Sequence, residues 1–172
     1  DAARLTLPGI LAIDTPGHAA FYSLRSRGAK FCDLAVVVVN LMKGIEKMTL
    51  EVLRILREDK TPFLIALNMV DRVYGWKASS NSLFKEALAV QERDTVLRFE
   101  EKVKDFQASL GKLGFGAELY YKNKQKGNIV SLVPVSAKTG EGMADLLYVY
   151  AALAQTKLRK KLTKTTDFCG ML

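Results

Sequence analysis

The run Leu34 to Val39 (LAVVVV) constrains this chain more than any other feature. Six apolar residues are too short for a typical helix. As a strand, a run this rich in valine is apolar on both faces and demands cover above and below. Three further short apolar runs read as strands: Gly9 to Ile13 (GILAI), Phe63 to Leu67 (FLIAL) and Ile129 to Val135 (IVSLVPV), mostly bounded by Asp, Gly, Pro or Asn. Segments of helical period lie between and after them, at Ala19 to Lys30, Lys47 to Asp59, Ser82 to Leu113 and Met143 to Leu162. In the second, Leu50, Leu53 and Leu56 form an apolar stripe, with Glu51, Arg54 and Arg57 turned outward. The third is one long helix or two short ones, ended by Gly111 and Gly114. This alternation predicts an α/β fold on a largely parallel sheet with helices on both faces.

At 172 residues, 49% apolar and 26% charged, the chain has the size and composition of one folded soluble domain. Residues 1–155 are expected to form it, with 82–114 as a helical insert; 156–172 read as a basic helix end and linker into a further domain. Because the chain begins with Asp1 rather than Met, it is expected to be a piece of something longer. Twenty-six Lys plus Arg against eighteen Asp plus Glu leave a net charge of +8, which suits polyanionic partners such as RNA or ribosomes. Two distant cysteines, Cys32 and Cys169, are a poor disulfide framework, so a reducing cytoplasm is expected. No apolar run approaches the roughly 20 residues of a bilayer span, so no membrane is expected.

Each of three strands is followed by a polar cluster: Asp14-Thr15-Pro16-Gly17-His18, Asn68-Met69-Val70-Asp71, and Ser136-Ala137-Lys138. If the strands run parallel, all three clusters fall on one rim of the sheet, where open α/β sheets bind ligands. The ordered set DxPGH, NxxD and SAK resembles the later signatures of the translation GTPases. The longer stretches from Asp14 to Asn68 and from Ser131 to Leu147 are similar to the GTPase domain of eukaryotic and archaeal initiation factor five B, a relative of bacterial initiation factor two. The resemblance covers about residues 5 to 162, and DRVYGWK, the helical insert and AELYYKNKQK favour the eukaryotic form.

That resemblance implies a P-loop-NTPase-like fold, GTP or GDP with Mg²⁺ as ligands, and GTP hydrolysis on the ribosome to promote subunit joining. Ribosomal RNA, initiator tRNA and other initiation factors would be the partners. It gives Asp14 the role of holding Mg²⁺ through a water, which suits an ion that keeps part of its hydration shell. Gly17 would bring its backbone N–H to the γ-phosphate, and His18, the only histidine, would position the attacking water. Asp71 would accept from N1–H and the exocyclic amine of guanine, Asn68 would bond the purine edge, and Ser136 and Ala137 would present a backbone N–H to the guanine O6. Lys138 would pack on the base opposite position 69, and Glu141 would favour the dipole of the last helix. Met69 stands where the family usually has lysine; its thioether chain can cover the base but brings no ammonium.

The sequence contains no GxxxxGK followed by Ser or Thr, the loop that cradles the β-phosphate. The chain alone is therefore expected to bind GTP very weakly, to show no measurable GTPase activity, and to self-associate or need an N-terminal complement for an uncovered strand edge. Two other readings remain open at this point. One is another translation GTPase of the elongation type. The other is a non-catalytic ribosome or RNA-interaction fragment using Lys157, Arg159, Lys160, Lys161 and Lys164 with Lys122, Lys124 and Lys126, clusters that also suit a solvated helix face.

Overall fold

A computed structural model of the chain describes residues 7, 9–14, 32–124 and 129–158. Its centre is a four-stranded sheet. The valine run forms β1 (Ala35–Asn40), and the later apolar runs form β2 (Phe63–Asn68) and β4 (Val130–Pro134). A three-residue strand that the sequence did not suggest, β3 (Ala117–Leu119), completes the order β1-β2-β4-β3. All neighbouring pairs are parallel, with Val37 opposite Ile65, Ile65 opposite Leu132, and Leu119 opposite Leu132.

Helices lie on both sides of the sheet. On one side α1 (Lys47–Glu58) and α3 (Arg93–Lys112) place Leu53, Leu56, Phe99, Val103 and Phe106 against Val37, Val39, Ile65 and Leu67. On the other, α4 (Met143–Lys157) packs Leu146, Val149 and Leu153 onto Leu64, Ala66, Val133 and Val135. Successive residues of β2 point to opposite layers, so Leu64 through Leu67 are all buried. The insert holds two helices, α2 (Phe84–Ala89) and α3.

Several expectations are corrected. Gly9–Ile13 forms no strand: Leu11 is 86% exposed, Ile13 59% and Ile10 50%. An apolar run becomes a strand only where a neighbour satisfies its backbone, and no described residue pairs with this one. β1 is likewise not covered on both faces among the described residues; Val37 and Val39 are buried, whereas Val36 and Val38 remain exposed. Gly111 lies inside α3 rather than ending it. The stop is at Gly114, whose φ of +77° favours glycine, with Gly114 N–H donating to Gly111 and Phe115 N–H to the Leu110 carbonyl. Arg57 is not simply turned outward: it donates to the Leu113 carbonyl and lies 4.2 Å over the Phe115 ring. The last helix is described only to Lys157, and the expected helix at Ala19–Lys30 lies outside the described residues.

Candidate functional site

Parallel pairing of β2 with β4 carries two of the three polar clusters to the same rim. Leu67 stands opposite Pro134, and pairing continues past the strands: Val135 N–H donates to Leu67 O at 2.9 Å and Val70 N–H to Val135 O at 3.3 Å. The chain then turns sharply at Met69, a non-glycine residue with φ +71°. Such a conformation is costly for a side chain and persists where the surroundings hold it. Here the Asn68 Oδ1 accepts the Met69 N–H at 2.8 Å, and fully buried Val70 anchors the 3-10 turn Val70–Arg72.

That turn delivers Asp71 to Ser136. The Ser136 hydroxyl, fully buried, donates to Asp71 Oδ1 at 2.7 Å and accepts the Thr139 N–H at 3.2 Å. Asn68 Oδ1 also accepts the Ala137 N–H at 3.0 Å, joining the two strand ends a second time. Arg72 stands 3.8 Å from Asp71 Oδ2, across a side chain only 12% exposed. Met69, Ala137 and Lys138 stand exposed around this cluster. The result is a carboxylate fixed by a buried hydroxyl, next to a side-chain amide whose NH₂ has no hydrogen-bond partner among the described residues. An acceptor pair beside a donor suits a ring that presents two N–H groups on one edge and acceptors on another.

Of the first cluster only Asp14 lies among the described residues. Asp14 is exposed and makes none of these hydrogen bonds; Gly17 and His18 lie outside the described residues. Among the described residues no group of three or more His, Cys, Asp or Glu could hold a metal. A hydrated Mg²⁺ that takes most of its ligands from phosphates and water needs only one carboxylate from the protein, which exposed Asp14 can supply.

Glu141 departs from its expected role at the helix dipole. It is fully buried; its Oε1 accepts from the Trp76 indole N–H at 3.1 Å and the Ser79 N–H at 2.7 Å, and its Oε2 accepts from the Thr139 hydroxyl at 2.6 Å. The sequence signal was the pair of flanking glycines. Both Gly140 and Gly142 have φ near +70° to +80°, and a Cβ on Gly142 would run into the Pro134 carbonyl, so this turn tolerates little else. The acid in the first turn of α4 is instead Asp145, which accepts the Phe84 N–H at 2.7 Å. It also accepts from Tyr120, whose phenol is pushed far up by burial first and that bond second. Burial pushes the Tyr121 phenol up to about 12, with the charges of Glu100 and Glu118 adding to it. Both phenols therefore stay protonated.

The family model for the elongation factor Tu GTP binding domain matches residues 6–156. The chain belongs to this family. It is 48% identical over 167 residues to eukaryotic translation initiation factor 5B of Dictyostelium discoideum, a match of 96% of this chain and 16% of the relative. It is 42% identical over 167 residues to a probable translation initiation factor IF-2 of Methanospirillum hungatei, across 97% of this chain and 28% of that protein. The crystal structure of GDP-bound aIF5B from Aeropyrum pernix superposes with a TM-score of 0.87 at 40% identity, over 95% of this chain and 27% of that one. The α/β GTPase fold expected from the sequence is thus the fold observed. The chain spans between about a sixth and just over a quarter of the length of these relatives.

Of the basic residues considered for RNA, Arg159, Lys160, Lys161, Lys164 and Lys126 lie outside the described residues. Lys122 pairs with Glu100 at 3.5 Å and lies over the Tyr121 ring, an arrangement internal to the chain. No helix among the described residues is long and apolar enough to cross a membrane.

Proposed function

We propose that this chain carries the base-reading part of the guanine nucleotide site of a translation initiation GTPase, acting in the cytoplasm. The observation that carries the reading is the Asp71 carboxylate held by the buried Ser136 hydroxyl where β2 and β4 end side by side. Its free lone pairs can accept from N1–H and the exocyclic amine of guanine, donors that adenine does not offer together, and the Asn68 NH₂ can bond the purine edge. Met69 and Lys138 are the candidates to cover the two faces of the ring, and the Ser136–Ala137 turn lies beside its O6.

GTP, when bound, supplies the phosphoanhydride that is hydrolysed. Asp14 would hold Mg²⁺ through a water, Gly17 would offer its N–H to the γ-phosphate, and His18 would orient the attacking water, in a reaction that depends on positioning and electrostatics. The similarity to initiation factors 5B and IF-2 supports ribosomes and ribosomal RNA as partners, with initiator tRNA and other initiation factors reached through other parts of the protein. Residues 1–155 would form the GTPase domain, with 82–114 as its insert and 156–172 leading onward.

The test is Asp71→Asn in the intact protein. The amide oxygen can keep N1–H, but the charge is lost and an NH₂ faces the exocyclic amine, so GDP affinity should fall at least about 100-fold. Xanthosine diphosphate, whose 2-oxo group can accept from the new amide, should gain over GDP. Unchanged GDP affinity overturns the reading.

A further inference from the structure

Glu141 is fully buried, and its carboxylate bonds none of Asn68, Asp71 and Ser136 and pairs with no cation among the described residues, yet it gathers three donors from two separate segments. One segment is the Ser136–Gly142 turn that follows β4. The other is the 76–82 loop that follows the Asp71 turn and leads into α2. Backbone bonds stitch the same two segments together: Asn81 N–H donates to Thr139 O and Gly142 N–H to Ser82 O, both at 3.0 Å, and Ser136 N–H donates to Glu141 O at 3.0 Å. Trp76 is in turn seated on the insert, its ring stacked 6.1 Å from Phe84 and packed 6.1 Å from Phe99 of α3.

A buried carboxylate without its donors is expensive, so all three donors hold one another in place through Glu141. The turn that carries Ser136, Ala137 and Thr139 therefore has its position set from behind by the helical insert. We propose that Glu141 is a positioning residue for the base-reading turn, clamping Ser136–Thr139 to the Trp76 loop and so slowing nucleotide release. The inference rests on the guanine-reading assignment above, and adds that the α2–α3 layer governs how long the base is held.

The experiment compares Glu141→Leu, Glu141→Gln and Trp76→Phe/Thr139→Val in the intact protein. It measures GDP dissociation, GDP against ADP preference, and backbone hydrogen exchange without nucleotide. Glu141→Leu should speed GDP release at least about 10-fold, the scale of one or two lost bonds to a charged group. Exchange should accelerate over 136–142 and 76–82 but not in β2, and guanine preference should persist. Glu141→Gln should stay within about 3-fold of wild type, because its carbonyl can keep Trp76 and Ser79 while its NH₂ donates to the Thr139 hydroxyl. If Glu141→Leu fails to fold, the double variant decides: release about 3-fold or more faster is expected, and unchanged release overturns the proposal. Equal loss in Gln and Leu variants, or exchange rising throughout the sheet, also overturns it, since that marks general destabilisation. A wild-type protein that binds no GDP refutes the guanine reading alone; the exchange pattern still decides the role of Glu141.

Discussion

The rim at the ends of β2 and β4 and the segment Gly9–Asp14 look alike in sequence: each is an apolar run closed by a polar cluster. In the structure they could hardly differ more. At the rim Leu64, Ile65, Leu67, Val133 and Ser136 are buried and Asn68, Asp71, Ser136 and Ala137 share hydrogen bonds. In the other segment Ile10, Leu11 and Ile13 are exposed, and Asp14 bonds none of the cluster. The difference is pairing. A strand's neighbour satisfies its backbone, buries its side chains and aims whatever follows it, and among the described residues Gly9–Ile13 has none.

Substitutions can break this contrast directly. The largest effect is expected for Leu67→Ala, at the paired end of β2. Cavity formation at a fully buried leucine should cost about 2–5 kcal/mol of stability in urea unfolding of the chain. Ser136→Ala comes next. It strips Asp71 Oδ1 and the Thr139 N–H of a buried partner, about 1–3 kcal/mol, so GDP should bind roughly 10-fold more weakly or worse in the intact protein by titration calorimetry. Met69→Lys sharpens the contrast by adding to the rim instead of subtracting. An ammonium at this exposed, left-handed position should tighten GDP by less than about 10-fold, in line with about 1 kcal/mol for exposed charge contacts, and no gain at all would refute that account of the methionine. Leu11→Ala should do least, within about 0.5 kcal/mol of wild type, because that side chain is already in solvent. A loss matching Leu67→Ala would show the segment to be packed after all.

Much of the fold was legible because its signals are local. Short valine- and leucine-rich runs limited to strand length, and the Leu53 and Leu56 stripe on α1, report burial directly from the order of residues. The polar cluster after each strand was equally readable, since turn-forming and charged residues stand out against apolar runs. Less legible were β3, three residues long and set by its partner β4, and the end of α3, where two nearby glycines compete and only Gly114 takes the left-handed conformation. Glu141 was misplaced for a similar reason. A glutamate before a helix suggests a dipole contact, and only the loop from residue 76 to 82, brought in from 62 to 65 positions away, turns it inward.

Residue order alone determined that this chain builds a parallel α/β sheet with polar groups at strand ends, because apolar periodicity and turn chemistry act over a few neighbours. Tertiary structure decided which ends meet. Register between β2 and β4 put Asp71 within 2.7 Å of Ser136 across 65 residues, and the packing of the insert gave Glu141 its three donors. Those are distances between segments remote in the chain, set by the free energy of burying both faces of one sheet, and no local pattern encodes them.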